Sequence, residues 1–502
     1  MGCVAAVSNW TNKQLESSLL PSKACVVLRV AIYAYQFFKF CLFLPLAIAF
    51  SLISFVATRI FPEKDSPLVA FAKNPTWTEG PAQIPRKQNG EPIAIGFSTA
   101  DIQDSGPNQP QFRGTNWGNH YLAHSAEIDL TGLPDTLNHP QQLIDELREI
   151  GMNHWRTSIS LMPKKGREVD ELTLQRYCNF FRTLRDAGIE LMVTLNHFVH
   201  PDDFDWKDPE SIERMVNFAE RVAEPLYQAG IRDIIVTNEL AVMAVQSHVM
   251  GKFPPYKTFD IEGACQVMEN MLRAQVAVYQ RLKPLHPDFQ ISPTHDPIRF
   301  RNFHKCNPLW APGEKIMCHY LTEIFHAAVM RFLQTGKFSC QVPFRANYSF
   351  EIPEFVTRRP YDKIGLQYYT DPLLKFPSGS ATRVEGENLS TYKYRMYPQG
   401  IATALEEFAT LGVPIDITEV GIDKGVNKNG NDQERIAYFT KLFQAVQKAI
   451  DHGVDVRSMH FWTKNRSWEW NNTEVDFAFT PETTTWLQGC LAAARAPAQA
   501  VV

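Results

Sequence analysis

Short apolar runs rich in β-branched residues alternate with longer amphipathic stretches from residue 92 onward. The predicted strands are Ile93–Thr99, His154–Ile159, Leu191–Phe198, Asp233–Glu239, Phe289–His295, Lys363–Tyr369, Pro414–Val420 and Val456–Lys464. Between them the pattern is helical, as in Glu171–Ala187, where apolar residues recur on one face and Gly188 follows as a stop signal. Eight such alternations over about 400 residues predict an α/β fold of the (β/α)8, or TIM-barrel, type.

An open, doubly wound parallel sheet would show the same alternation and is the second fold that the pattern allows. Such sheets often carry a glycine-rich phosphate loop after the first strand. In this chain the corresponding stretch, residues 96–101, reads GFSTAD and contains a single glycine. The barrel is therefore the preferred prediction.

The first 61 residues have a different, strongly apolar character. From Phe40 to Thr58 the chain has no charged residue, and Lys39 and Arg59 bound the run. As a helix this run would be about 28 Å long, close to the hydrocarbon thickness of a bilayer. Residues 1–61 are therefore predicted to associate with a membrane, as a single span, a hairpin or an interfacial segment. The expected localisation is membrane-associated, with the side that carries the catalytic domain left open.

Residues 62–91 are rich in proline and show little periodicity. They are predicted to form a semi-rigid tether between the apolar segment and a globular domain at 92–502. This division gives three parts: a membrane segment, a linker and a barrel.

Charge and cysteine content give no support to nucleic-acid binding, a disulfide framework or a zinc site. The 50 basic and 54 acidic residues leave a net charge of −4, which gives no electrostatic reason to expect nucleic-acid binding. The 9 cysteines are scattered without a CxxC pair, which indicates reduced thiols rather than a disulfide framework or a zinc site. Neither a metal nor another cofactor is predicted.

Two glutamates at the ends of predicted strands indicate the chemistry. Glu239 ends the fourth strand and Glu419 lies near the end of the seventh. All strands of a (β/α)8 barrel end on the same face, so these carboxylates can converge on one substrate. Two converging carboxylates are the minimum for cleaving a glycosidic bond, since one protonates the departing oxygen and the other attacks or supports the anomeric carbon.

Further polar and aromatic residues gather at the same ends of the strands and predict a pocket around the two glutamates. They are Gln103, Arg156, His197, Asn238, Tyr369 and the stretch Trp462–Trp470. His197 and His200 form an HxxH pattern, but a third spaced ligand for a metal is missing from the sequence.

At these positions the chain resembles the family 1 glycoside hydrolases, the β-glucosidase and β-galactosidase family. The resemblance covers roughly residues 92–485 in the same order along the chain. The family motifs TFNEP, ITENG, YRxSIS and TLxHW are similar to residues 237–240 (TNEL), 417–421 (ITEVG), 155–160 (WRTSIS) and 194–198 (TLNHF). Residues 96–103, 362–369, 397–401 and 462–470 match four further motifs in spacing.

The resemblance implies a retaining, double-displacement mechanism with Glu239 as general acid/base and Glu419 as nucleophile. Arg156 and Tyr369 would then assist the nucleophilic carboxylate. Asn238 would hydrogen-bond the 2-hydroxyl of the sugar, an interaction that strengthens in the transition state.

The family pattern also implies a subsite for the glycone, the sugar that is transferred. Gln103, His197 and Glu469 would bind its hydroxyls, while Trp462 and Trp470 would offer apolar faces to its C–H surface. Family members that act on 6-phosphosugars lack a carboxylate at the position of Glu469, because it would repel the phosphate. The resemblance therefore implies an unphosphorylated hexose.

Several positions depart from the family pattern. Leu240 replaces the proline after the acid, Val420 the asparagine after the nucleophile, and Gln367 the asparagine of the NYY motif. Tyr394 stands where a tryptophan usually precedes YPxG. These changes bear on substrate choice more than on the reaction.

Three hypotheses of function remain open from the sequence. The first is a retaining β-glycosidase acting on β-glucosides or related β-glycosides, with a carbohydrate or glycolipid substrate held near a membrane. The second is a transglycosylase that uses the same intermediate. The third is a membrane-anchored glycan-binding protein without turnover, which the presence of Glu239, Glu419, Arg156 and Asn238 disfavours.

Overall fold

A computed structural model of the chain describes residues 65–304, 310–343, 345–356, 359–375, 395–423, 432–470 and 475–496. The chain divides into two compact units, Asp65–Phe303 with Cys318–Val502, and Met1–Lys64 with His304–Met317. Every strand described below belongs to the first of these units. In the second unit only residue 304 and residues 310–317 are described.

The architecture is a ring of parallel strands. The described strands are β1 (Ala94–Ser98), β2 (His154–Ser158), β3 (Glu190–Asn196), β4 (Asp233–Thr237), β5 (Gln290–Ser292), β6 (Thr294–His295), β7 (Arg301–Asn302), β8 (Lys337–Val342), β9 (Ala346–Glu351), β10 (Ile364–Tyr368), β11 (Leu373–Leu374), β12 (Ile415–Val420) and β13 (Val456–Trp462). Nine of them pair in parallel in the order β5-β4-β3-β2-β1-β13-β12-β10-β6.

The two ends of this order, β5 and β6, are consecutive in the chain and separated only by Pro293. Because proline has no N–H to donate, it interrupts the ladder without ending the strand. β5 and β6 are therefore one barrel strand in two pieces, and the ring closes with eight positions. The predicted (β/α)8 barrel is confirmed, and each predicted strand overlaps an observed one.

Helices follow the barrel strands, and amphipathic ones such as Glu171–Asp186 and Glu210–Gln228 bury one apolar face. The α-helices of the described residues are Pro67–Lys73, Asp101–Ser105, Asn116–His124, Pro140–Ile150, Glu171–Asp186, Glu210–Gln228, Leu240–His248, Ile261–Leu285, Ala311–Thr322, Ala328–Thr335, Gly400–Ala409, Asp432–Asp451 and Pro481–Arg495. A π-helical turn, Glu323–Ala327, continues directly into Ala328–Thr335. Gly188 has a φ of +83° two residues after Asp186, as expected for a glycine stop signal.

Two features outside the barrel were not predicted. β8 and β9 form an antiparallel hairpin, which packs on the helix Ile261–Leu285 through Tyr348 and Phe350. β7 pairs with β11 as a short parallel ribbon.

The stretch assigned to the proline-rich linker packs against the barrel. Pro67 occupies the first turn of the helix Pro67–Lys73, and the Ser66 hydroxyl accepts a hydrogen bond from the Val69 N–H at 3.1 Å. Leu68 and Ile84 are 1% and 3% exposed within the main core. Proline here starts a helix rather than stiffening a tether. The boundary between linker and barrel stays a prediction.

The predicted membrane localisation is contradicted. In the described ranges between residues 65 and 496, no helix is both long and apolar enough to cross a bilayer. Ile261–Leu285 has the required length, but it carries charged residues such as Glu269, Arg273 and Arg281 along its course. The uncharged run 40–58 on which the prediction rested lies outside the described residues.

Candidate active site

Glu419, in β12, is a buried carboxylate held by three donors. Its Oε1 accepts from Arg156 Nη1 and from Gln367 Nε2 at 2.6 Å, and its Oε2 accepts from the Tyr369 hydroxyl at 2.6 Å. Burial and the negative charge of Glu419 raise the pKa of Tyr369 well above its usual value, so the phenol keeps its proton. The Glu419 side chain is thereby fixed in one orientation.

Arg156, in β2, is fully buried and connects five strands at the floor of the site. Besides Glu419 it donates to Asn238 Oδ1 at 2.6 Å, Thr194 Oγ1 at 3.2 Å and Ser98 Oγ at 3.1 Å. A planar guanidinium suits this task, because its donors lie in a rigid fork.

The hydrogen bonds of Asn238 determine which ring nitrogen of His197 carries the hydrogen. The Asn238 Oδ1 accepts from Arg156 and from Gln367 Nε2, the latter at 2.8 Å, so its amide nitrogen faces His197 Nε2 at 3.1 Å. His197 therefore accepts through Nε2 and carries its hydrogen on Nδ1. Burial and the charge of Arg156 hold the pKa of His197 well below its usual range. The buried Nδ1 has no partner in the described protein and is available to a ligand.

Glu239 follows β4 in a left-handed conformation, with a φ of +39°. Its N–H donates to Thr294 Oγ1 at 3.1 Å, and the helix Leu240–His248 begins at the next residue. In the described part of the chain no group donates a hydrogen bond to the Glu239 carboxyl. Burial and the charge of Glu419 raise its pKa well above the usual value, which lets it hold a proton near neutral pH.

Gln103 and Glu469 lie at the other side of the site, after β1 and β13. Gln103 Nε2 donates to the Trp468 carbonyl at 2.9 Å, while the buried Gln103 Oε1 has no partner among the described residues. Glu469 Oε1 accepts from Trp462 Nε1 at 2.9 Å and from the Ser467 hydroxyl. Burial raises the pKa of Glu469 to about 7.

Aromatic rings form the wall beside these polar groups. Trp470, with a φ of +54°, packs with its ring centroid 4.6 Å from Trp117, 5.5 Å from Phe198 and 5.7 Å from Phe253. Trp468 is buried against Trp117 at 5.7 Å. Of the ten predicted site residues, Arg156 lies within β2 and Gln103 in the short helix Asp101–Ser105 after β1. The other eight lie at the C-terminal end of a barrel strand or in the segment that follows it.

Three residues of the site were not predicted as part of it. Gln367 was noted only as a departure from the family pattern, yet it donates directly to Glu419 and Asn238. Thr294 receives the N–H of Glu239. Asp296 is a fourth buried carboxyl of the site, whose pKa burial and the charge of Glu419 raise well above the usual value. The signal for Asp296 was present, because it directly follows a predicted strand.

The departures Leu240 and Val420 are both buried in the core, at 1% and 0% exposure. Tyr394 lies outside the described residues. Within the described ranges, no group of three or more His, Cys, Asp or Glu residues is arranged to hold a metal ion.

Comparison with protein families identifies a match between residues 133–477 and the model of glycosyl hydrolase family 1. A 6-phospho-β-galactosidase of Clostridium acetobutylicum is 24% identical over 443 residues, covering 76% of this chain and 90% of that protein. A 6-phospho-β-galactosidase of Streptococcus pneumoniae is 22% identical over 435 residues, with 75% and 90% covered.

Among solved structures, the family 1 β-glucosidase of Thermotoga maritima superposes with a TM-score of 0.67 at 19% identity, covering 80% of this chain and 98% of that one. The AHE enzyme of Alicyclobacillus herbarius gives a TM-score of 0.70 at 19% identity, with 84% and 100% covered. At this level of identity the superpositions show a shared fold.

Proposed function

Because the chain belongs to glycosyl hydrolase family 1 and is a retaining glycoside hydrolase, we propose that Glu239 is its general acid/base and Glu419 its nucleophile. The observation that carries the proposal is the contrast between the two carboxyls. Glu419 is fixed by Arg156, Gln367 and Tyr369, whereas no described group donates to Glu239. A nucleophile must be oriented before it attacks, and an acid must keep its proton for the leaving oxygen.

In the first step, a Glu419 oxygen forms a bond to the anomeric carbon while the bond from that carbon to the leaving oxygen breaks. Glu239 donates its proton to this oxygen, and the aglycone departs as an alcohol. The nearby charge of Glu419 is one cause of the raised pKa of Glu239. Glu239 is therefore protonated and neutral while the nucleophile Glu419 is anionic.

In the second step, the glycosyl-enzyme ester carries no charge on Glu419. That cause of the raised Glu239 pKa is then removed, and Glu239 acts as a base that takes a proton from the incoming water. The water oxygen bonds to the anomeric carbon, the ester bond breaks, and the sugar leaves with its β configuration retained. The enzyme returns to its starting protonation.

We further propose that the glycone is an unphosphorylated hexose. His197 Nδ1 and Gln103 Oε1 are buried polar atoms without a described protein partner, so sugar hydroxyls would satisfy both. The Glu469 carboxyl, held by Trp462 and Ser467, would repel a phosphate dianion when it is ionised. The relatives named 6-phospho-β-galactosidases make phosphorylated sugars the competing candidate.

A sugar or another alcohol in place of water in the second step would give transglycosylation through the same residues. The aglycone itself is taken to be a free carbohydrate or alcohol, because a lipid-linked substrate was inferred only from the predicted membrane segment. The binding-only alternative is set aside, since the family match and the β-glycosidase relatives indicate a retaining glycoside hydrolase.

Trapping with activated 2-deoxy-2-fluoro β-glycosides tests the assignment of the nucleophile. The full-length protein is incubated with the glucosyl, galactosyl and mannosyl reagents and then analysed by intact-protein and peptide mass spectrometry. We expect one glycosyl adduct, located on Glu419. An adduct on another residue, or none on a folded protein that hydrolyses aryl glycosides, would refute the assignment.

The choice of glycone is tested with pairs of 4-nitrophenyl β-glycosides that differ only by a 6-phosphate. We expect hydrolysis of the unphosphorylated member of a pair and at least about a hundredfold lower kcat/KM for the phosphorylated one. A preference for the phosphorylated member would overturn this part of the proposal and favour the activity named for the relatives.

A further inference from the structure

Asp296 directly follows β6, and the alternation of side chains along that strand directs it into the barrel. Thr294 faces the interior, where it contacts Glu239 and Asn238. His295 faces the opposite way and contacts His326 of the π-helical turn at 2.9 Å. Since residues two apart share a face, Asp296 lies on the side of Thr294, one level nearer the mouth of the site.

The Asp296 carboxyl is almost fully buried, at 7% exposure, and no group in the described part of the chain donates a hydrogen bond to it. The positive charge of Arg299 lowers the pKa of Asp296, but the Arg299 guanidinium forms its ion pairs with Asp371 and Glu407, each at 3.5 Å. A buried carboxyl without a donor is costly, and in a catalytic cleft a ligand is its natural partner.

The position of β6 in the ring places Asp296 away from the glycone residues. Gln103 follows β1, His197 follows β3 and Glu469 follows β13, so these residues occupy one arc of the barrel. The strand formed by β5 and β6 lies opposite β1, four positions away in either direction. Asp296 also lies near Glu239, the residue proposed to protonate the leaving oxygen, because its charge, when it is ionised, raises the pKa of Glu239.

From this placement we infer that Asp296 forms an aglycone subsite that hydrogen-bonds a hydroxyl of the leaving group, so that the enzyme selects sugar or polyol aglycones. The inference rests on the proposed function, because the aglycone side is defined by Glu239 as acid. Burial raises the pKa of Asp296 well above its usual value, which favours a carboxyl that both donates and accepts, as a hydroxyl partner requires. An ionised carboxylate would instead favour a cationic group.

Three substrates with one glycone separate binding of the aglycone from proton transfer. A β-1,4-linked disaccharide has a sugar leaving group and needs the acid. A methyl β-glycoside also needs the acid but offers no aglycone hydroxyl. A 2,4-dinitrophenyl β-glycoside has a good leaving group, so it needs no proton from the acid, and it offers no aglycone hydroxyl. Wild-type hydrolysis of the third substrate tests the proposed function by itself.

For Asp296→Ala we expect kcat/KM to fall about ten- to a hundredfold on the disaccharide, the loss expected for a hydrogen bond to a carboxyl group. Activity on the dinitrophenyl glycoside, which needs no proton from Glu239, should stay within about threefold of wild type, which also shows that the variant is folded. The loss on the methyl glycoside should be at least about fivefold smaller than the loss on the disaccharide. Asp296→Leu, which is similar in size but apolar, should behave in the same way. Asp288→Ala is the matched control, because its half-exposed carboxyl lies just before β5, at the other end of the same barrel strand.

Equal losses on the disaccharide and the methyl glycoside would overturn the inference, because Asp296 would then act through the proton of Glu239. An unchanged kcat/KM on all three substrates would overturn it as well. A selective loss on the disaccharide supports it.

Discussion

At the scale of single residues, the site divides its carboxyls by their hydrogen bonds. Glu419 has three donors, Glu469 has two, and Glu239 and Asp296 have none among the described residues. Burial raises the pKa of each of the last three. A group of carboxyls in one cleft is stable only because protons, donors and the guanidinium of Arg156 are distributed among them.

Because Glu239 and Glu419 have different proposed roles, the activity of their variants should depend differently on the leaving group of the substrate. Glu239→Gln should lower kcat/KM on alkyl β-glycosides by about 10²–10⁴-fold, because their departing oxygen needs a proton. On 2,4-dinitrophenyl glycosides its first step, followed as a burst of phenol, should be nearly unchanged. Glu419→Gln should lose on the order of 10⁴-fold or more on both substrates. If both variants kept full activity, the two roles would be wrongly assigned.

The coupling between the two glutamates predicts a shift that can be titrated. In Glu419→Gln the nearby negative charge is gone, so the pKa of Glu239 should fall. It should still exceed the usual value, because burial is the larger cause of the shift. NMR of protein labelled with ¹³C at the glutamate carboxyls measures this pKa. Glu469→Gln is the control, since Glu469 is not among the groups that shift Glu239. An equal fall in both variants would argue against the coupling.

At the scale of elements, three of the six non-glycine residues with positive φ in the described part of the chain lie in segments that follow barrel strands. Phe198, Glu239 and Trp470 follow β3, β4 and β13, and all three have positive φ, between +39° and +66°. Left-handed backbone is unfavourable for such side chains, and strain of this kind concentrates where the surrounding structure must aim a group at a ligand.

The sequence predicted the strands better than it predicted the contacts between them. The runs of β-branched residues identified all eight barrel strands, because strands covered on both faces are continuously apolar. The interruption at Pro293 and the hairpin of β8 and β9 were not predicted, since both depend on pairing with distant segments. Gln367 was missed for the same reason, because its role follows from β10 and β12 being neighbours in the ring. Asp296 was missed although it directly follows a predicted strand.

The opposite, N-terminal end of the barrel contains an ion cluster that joins three strands. Lys363, just before β10, pairs with Asp416 in β12 at 2.6 Å and with Asp233 at the start of β4. Burial would raise the pKa of Asp416, but the Lys363 ammonium and the hydrogen bond from the Ser458 hydroxyl together outweigh it, so the net pKa lies below the usual value. Asp416 therefore stabilises the fold above its unfolded pKa, and this contribution is lost as the pH falls through its folded pKa.

Lys363→Met should reverse the pH dependence of the contribution that Asp416 makes to stability. Without the ammonium, burial raises the pKa of Asp416 above its unfolded value and raises further the pKa of Asp233, which already lies above its usual value, so stability falls as the pH rises. We expect a loss of about 3–5 kcal/mol at pH 7 and a smaller loss at pH 5, measured by urea unfolding. Lys337→Met, at an exposed pair with Glu351, is the control and should change stability by less than about 0.5 kcal/mol. A loss independent of pH would contradict the assigned role of the cluster.

At the scale of the whole molecule, one barrel carries both the core and the site, at different depths. The main core contains most of the buried apolar side chains of the described residues, while the catalytic candidates lie at the strand ends above it. This separation lets loops and strand ends vary without loss of the fold. It explains how a chain about 20% identical to solved structures superposes on them with TM-scores near 0.7.

The extent of the folded unit is tested by a residue outside the predicted barrel domain. If residues 62–91 were only a tether, Leu68 would contribute little to stability. Its side chain is instead 1% exposed within the core, so Leu68→Ala should lower the free energy of unfolding by about 2–5 kcal/mol. Leu172→Ala is the matched control, since Leu172 is a 77% exposed leucine and its loss should cost less than about 0.5 kcal/mol. Equal, small effects in urea unfolding would restore the boundary at residue 92, whereas the expected difference moves it to the helix Pro67–Lys73 or earlier.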